Sequence, residues 1–408
     1  MAKKAGELRL KWLSFALCIA LVNCGGSAES RLRKTLATQI TGLIQLPGGV
    51  IEVSSELRLA PGAHDLEIAG AGTLFKAAKD FKGRAIFVAE NARAIRFHDF
   101  SIDGNRVDFD QPIEMAPSEN AFRIFYSHNG IVVDQVEGVE ISELQFAAIP
   151  GFAVIASRSS KIRIKSVLVE DSGTRNAKGR NNTTGGILIE EGSSDFEVRN
   201  SRFLRIRGNA LWTHSLYTSP RLHDGLFAAN RFESIGRDAI EVGAASNIRV
   251  EDNTGDHIGY PPEAVDIENL GTPVAMDTAG NVDHSTYARN TFEEIDGKCI
   301  DLDGFHDGAI EENGGAGTRP LTVTLSGAAT LNQTVTTSET DDVGYTAFTF
   351  GFVSTGGNVT LSFVPSDYSA EPNFMLDNVS VMSAPEPSYG LAGLGALMVI
   401  ALKCKKNF

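Results

Sequence analysis

The chain has 408 residues, 42% hydrophobic and 22% charged, with 41 Gly, four Cys and a formal net charge of −14. That balance describes a folded chain with room for two domains. The acidity argues against nucleic acid as a partner and against a polybasic membrane-binding face. Basic residues collect at the ends, as Lys3, Lys4, Arg9 and Lys11 and again as Lys403, Lys405 and Lys406. Setting aside residues 1–28 and 388–408 moves the charge of the body to about −17 and then about −20.

The basic start leads into the apolar run Trp12–Val22 and then Asn23-Cys-Gly-Gly-Ser-Ala28. This pattern predicts a secretory signal peptide over residues 1–28, cleaved after Ala28 with Gly26 at −3. Lipid attachment at Cys24 is the alternative. The apolar run is shorter than the ~18–20 residues of a spanning helix. Cys18, Cys24 and Cys404 lie in the terminal segments, which leaves Cys299 alone in the body. Neither a disulfide framework nor a cysteine metal site can be built from one thiol, and Cys299 reads as a small core residue.

Short alternating runs then recur: Gly130-Ile-Val-Val, Gly151-Phe-Ala-Val, Gly186-Ile-Leu-Ile, Ala210-Leu-Trp-Thr, Ala239-Ile-Glu-Val, Pro273-Val-Ala-Met and Cys299-Ile-Asp-Leu. Several are followed by a second short strand and an Asn: Asn200, Asn230, Asn253, Asn290 and Asn313. After three of these the step Phe203 to Ile206 returns, as Phe232 to Ile235 and Phe292 to Ile295. A period of this length built only from short strands predicts a solenoid, because a single coil cannot bury its own inward face. The Asn residues predict an internal hydrogen-bonded ladder at a bend. With these features, about two thirds of the chain resembles the right-handed parallel β-helix proteins of the pectate-lyase-like superfamily. The resemblance implies an all-β, right-handed parallel β-helix solenoid over residues 35–316, with Leu36 to Gly42 capping its open end. That superfamily contains lyases, hydrolases, epimerases and proteins without activity, so the fold leaves the chemistry open.

From Thr318 the composition changes. No Lys occurs between Cys299 and Leu402, and residues 318–383 hold a dozen Thr in strand-like runs. A small β-sandwich-like module is predicted there. Residues 384–408 read Pro385-Glu386-Pro387, a short apolar stretch and a Lys-rich tip. This segment resembles the PEP-CTERM sorting signal. The resemblance implies a transient transmembrane helix, recognition of Pro385-Glu386-Pro387 by an exosortase-type processing enzyme, and delivery to the cell surface or matrix.

Aligning the coils on Leu211, Ile240, Val274 and Ile300 predicts two outward rows: Trp212, Glu241, Ala275, Asp301 and His214, Gly243, Asp277, Asp303. Neighbouring coils lie ~4.8 Å apart. Glu241 and Asp301 then stand about 9–10 Å apart, near the upper end of the spacing used by inverting glycosidases. Asp277 and Asp303 fall one coil apart, so that one acts as an acid or the pair binds Ca²⁺. His214 is the predicted base, and Trp212 a platform for a sugar ring. Arg237 and His306 are further substrate contacts, the latter in the ligand-rich segment Asp301–Asp307. The excursion from Trp212 to Asp224 is expected to wall the groove. Arg207, Arg237 and Lys298 share one turn and are the cations available to a lyase. Arg163-Ile-Lys165 is similar to a polygalacturonase motif, but the aspartate motifs that should precede it are missing, so it reads as an outward basic strand. The expectation is a secreted, surface- or matrix-directed protein that acts on or binds extracellular polysaccharide, as a lyase or glycoside hydrolase. Its alternative is a non-catalytic adhesion scaffold. Membrane contact is expected only through the sorting helix.

Overall fold

Each coil is made of strands a few residues long that turn at single residues in the left-handed conformation. The structure, a computed structural model, describes residues 27–181, 183–261 and 273–313, together with the strand backbones 321–327, 331–335, 359–365 and 379–380. Ala94, Gly138, Lys161, Asp195, Asp224 and Asn247 stack at one bend, each with φ between 47° and 80°. Asp99, Glu143, Ser166, Asn200, Ala229, Asp252, Arg289 and Glu312 supply the left-handed residues of another bend. Asn and Asp tolerate this conformation best, which explains their density in the sequence. Between bends the strands pair in parallel with the coils on either side, as Ile187–Glu190 does with Val154–Ser157 and Leu211–His214. The inward residues, such as Ile131, Val154, Ile187, Leu211, Ile240, Met276 and Ile300, fill one continuous apolar column. Burial of this column is what holds the solenoid together.

Two internal ladders reinforce it. Asn230, Asn253, Asn290 and Asn313 are buried in a chain in which each Nδ2 donates to the next Oδ1, at 2.8–3.0 Å. The same oxygens accept backbone N–H groups, and the amides also donate to the carbonyls of Val198, Phe227, Val250 and Tyr287. Asn200, expected in this ladder, stands one residue early at the left-handed position. Ser201 occupies the ladder site and donates its N–H to Asn230 Oδ1 at 3.1 Å. Phe203 and Phe232 stack at 5.2 Å, and Phe232 meets Phe292 at 6.0 Å across the space left by Gly255.

The open end is capped by helix Ala28–Thr38, which begins earlier than the expected cap and buries Leu32 and Leu36 on the first coils. Ser27 Oγ accepts from Ser30 N–H, and Glu29 accepts from Ser54 N–H, fixing the helix to the coil beneath. A second apolar cluster lies outside the solenoid. Residues 104–128 leave the coil and lay Ala116, Phe122 and Tyr126 over Val88, Val132, Phe152, Ile155, Leu188 and Trp212. At the other end, strand Leu321–Gly327 pairs antiparallel with Leu331–Val335 and with Val359–Pro365, and the last of these pairs with Lys298–Asp303. Strand Val379–Ser380 pairs antiparallel with Ala309–Glu311, and the rest of the expected 318–383 module lies outside the described residues. So do the signal segment up to residue 26 and the sorting segment 384–408. Among the described residues no helix is long and apolar enough to cross a membrane.

Candidate functional site

One outward row runs the length of the solenoid and changes character partway. In parallel register it reads Val88, Val132, Ile155, Leu188, Trp212, Glu241, Asp277, Asp301. The aliphatic part and Trp212 are covered by the 104–128 excursion, and the row then becomes three successive carboxylates. This corrects the expected alignment. Ile240 pairs with Met276 rather than Val274, so Asp277 stands beside Glu241 and Asp301, and Asp303 comes after Leu302, the partner of Thr278. The proposed Asp277/Asp303 metal pair is therefore not formed. Asp303 is exposed two residues beyond the row. Glu241 and Asp301 remain two coils apart, as expected.

A fourth carboxylate, absent from the sequence expectation, completes the cluster. Asp238 sits in the turn before strand Ile240–Glu251 and is fully buried. One oxygen from each of Asp238, Glu241 and Asp277 lies within 4.8 Å of the others. Asp238 Oδ1 accepts Val274 N–H at 2.8 Å, and Oδ2 faces Arg237 Nε at 3.5 Å without a hydrogen bond. Asn209, which holds the turn position equivalent to Asp238, donates Nδ2 to Glu241 Oε2 and accepts Asp238 N–H. The signal for Asp238 was the polar residue and Ala that close the turn ahead of the strand, as Asn209-Ala210 in one coil and Asp238-Ala239 in the next.

Charge crowding sets the proton affinities. Burial, and then the carboxylates of Asp238, Glu241 and Asp301, push Asp277 well above the ordinary carboxylate range against the pull of Arg237. Burial raises Asp238 to about 7, with Arg237 opposing and Glu241 adding repulsion. Glu241 is raised by burial, opposed by Arg237 and by the Asn209 amide. At the end of the row Lys298 Nζ donates to Asp301 Oδ2. The cluster thus sets carboxyl groups of raised proton affinity beside an ion-paired carboxylate. Three carboxylate oxygens suit Ca²⁺ by donor type. Arg237 already supplies the positive charge at this point, and a cation would have to displace the protons.

The other expected residues separate from this cluster. Trp212 is 5% exposed, with its ring 5.0 Å from Phe122 and 6.3 Å from Phe152, so it is not an open sugar platform. Arg237 does sit at the site, 5.9 Å from the Trp212 ring centre. His214 stacks on Phe122 at 4.4 Å and joins Glu190 and Glu191 in a second cluster, so it is not beside Asp277. Burial lowers its pKa, with Glu191 opposing. In that cluster Glu190 accepts the N–H groups of Phe122 and Arg123 and so ties down the excursion; burial pushes it up to about 7. His306 lies past the Gly304 turn, beside Asp283, where its ring contacts Asn281 and Asp307. It points to a different face from the carboxylate row. Arg163 and Lys165 pair on the surface with Asp195 and Glu140, as an outward basic strand should.

Parallel coils, an inward apolar column and bends at left-handed residues define a right-handed parallel β-helix protein. In keeping with this, residues 84–272 match the family described as right handed beta helix region. No curated protein matches the chain. Among solved structures, the chain is similar to the Streptococcus pneumoniae surface protein and adhesin PfbA, at 12% identity and a TM-score of 0.48 over 69% of this chain and 76% of that one. It is also similar to the polygalacturonase from Erwinia carotovora, at 13% identity and 0.44 over 70% and 83%. A third is DFA-IIIase from Arthrobacter chlorophenolicus A6, at 13% and 0.46 over 66% of each chain.

Proposed function

We propose that this protein is a glycan-cleaving hydrolase whose catalytic groups are Asp277 and Asp301, positioned by Glu241, Asp238, Arg237 and Asn209. The supporting observation is the meeting of buried Asp238 and Glu241 with half-buried Asp277 within 4.8 Å, beside Arg237. Asp277 is the general acid. A carboxyl group whose proton affinity is raised by burial and by its carboxylate neighbours can deliver its proton to the glycosidic oxygen as the bond to the anomeric carbon breaks. Asp301, one coil from Asp277 and ion-paired with Lys298, is close enough to act as the nucleophile: it bonds to the anomeric carbon as the protonated leaving group departs, and a water deprotonated by Asp277 then hydrolyses the glycosyl ester and frees Asp301. Arg237 offsets the negative charge that the neighbouring carboxylates concentrate.

The basic start and the Pro385-Glu386-Pro387 tail support export and delivery to the cell surface or matrix, with an exosortase-type enzyme as processing partner. Extracellular polysaccharide is then the substrate within reach. Hydrolysis is separated from elimination by the products: reducing ends without unsaturated ends, in a reaction insensitive to chelator. Unsaturated ends would instead make the enzyme a lyase. A non-catalytic adhesion scaffold is the second reading, favoured by one observation: the aromatic ring expected to stack on sugar, Trp212, is buried beneath the 104–128 excursion. It predicts glycan binding with no product of either kind.

A further inference from the structure

On an acidic body, one cavity is lined by arginine. It has a volume of about 390 Å³ and is walled by Arg106, Arg175, Arg205 and Arg207, with Asp171 the one carboxylate among its described lining residues. The cations are unequally satisfied. Arg205 is held by Asp171 through two bonds of 2.7 and 2.9 Å, and Arg207 by Asp110 at 2.5 Å. Arg106 donates to a backbone carbonyl, that of Asp171. Arg175 Nε is buried and makes no hydrogen bond. Burial, and then the neighbouring charges of Arg207 and Arg175, lower the pKa of Arg106 against Asp110 and Asp171. Like charges held together at such a spot are costly unless an anion joins them. The cavity borders the catalytic turn: its residues Arg207 and Gly236 lie two positions before Asn209 and Asp238.

We propose that this cavity binds the oxyanion group of an acidic sugar, a carboxylate or a sulfate ester, through Arg175 and Arg106. A guanidinium fork matches either group in a bidentate way. The proposal rests on the glycan reading only for the sugar that carries the anion, and its test reads binding rather than turnover. The experiment is calorimetric titration of the full chain with sodium glucuronate, sodium sulfate and glucose. Glucuronate and sulfate are expected to compete for one site, and glucose not to bind. Arg175→Ala and the size-conserving Arg175→Gln should each weaken both anions at least tenfold. Arg163→Ala, on the surface elsewhere, should leave binding unchanged. Asp277→Asn should bind as the native chain does, so that a failure of hydrolysis is distinguishable from a failure of this site. Saturation by neither anion, or native affinity in both Arg175 variants, would overturn the proposal. Binding of sulfate without glucuronate would reduce the site to one for free inorganic anions and overturn the sugar assignment.

Discussion

Glu241 and Asp277 are register partners on adjacent coils, the first two carboxylates of the outward row after its apolar part ends at Trp212. With Asp238 reaching the same spot from the preceding turn, the three cannot all ionise cheaply.

Stability should therefore depend on pH in a defined sense. Asp238 titrates at 3.8 when exposed and at about 7 in the fold. The folded chain holds a proton that the unfolded chain has lost, so this contribution is fully present below pH 3.8 and is lost as pH rises towards 7. The loss is at most about 4 kcal/mol for such a shift. Urea titrations across this range should show stability falling with rising pH, and Asp238→Asn should flatten the slope. An unchanged slope in the variant would show that Asp238 ionises normally.

The asparagine ladder makes a sharper stability claim. Asn253→Ala removes the acceptor of Asn230 N–H and a donor to Phe227 and Asn290, all in buried surroundings. Orphaned buried groups should cost roughly 2–4 kcal/mol. Asn200→Ala, one residue off the ladder, should cost far less. Equal urea midpoints for the two variants would contradict the ladder.

Gly255 is required by its neighbours rather than by its backbone. A Cβ there would lie 2.7 Å from the Phe292 ring and 3.1 Å from Phe232 Cβ. Overpacking of this kind costs about 1–3 kcal/mol. Gly255→Ala should lower the melting temperature, and adding Phe292→Leu should recover part of the loss.

These features differ in how far they can be read from sequence. The coil repeat, the strand starts, four of the five ladder asparagines and the phenylalanine step were all visible, because each follows from what one coil must present to the next. The register at Asp277 was not. Strand alternation has a period of two, so Val274 and Met276 both point inward, and a slip of two residues leaves every apolar side chain buried. Only the partner of the carboxylate changes. Asp238 was missed because it stands in a turn, outside the alternating pattern. The fate of Trp212 was hidden for another reason. The segment that covers it comes from residues 104–128, and nothing local to Trp212 announces Phe122.

That cover can be tested by fluorescence, since Trp12 and Trp212 are the chain's two tryptophans. Trp212 emission, isolated by subtracting a Trp212→Phe variant, should be blue-shifted and resist acrylamide. Phe122→Ala should shift it to the red and cost about 3–5 kcal/mol of stability. Ready quenching in the native chain would mean that the ring is open to solvent and to sugar.

The most direct measurement is release of reducing ends from a panel of neutral and acidic polysaccharides by the native chain and by Asp277→Asn. Native release from at least one glycan, lost at least 10³-fold in a variant with an unchanged melting temperature, is the predicted result. No release from any glycan, or undiminished release by Asp277→Asn, would contradict the assignment of Asp277 as the acid.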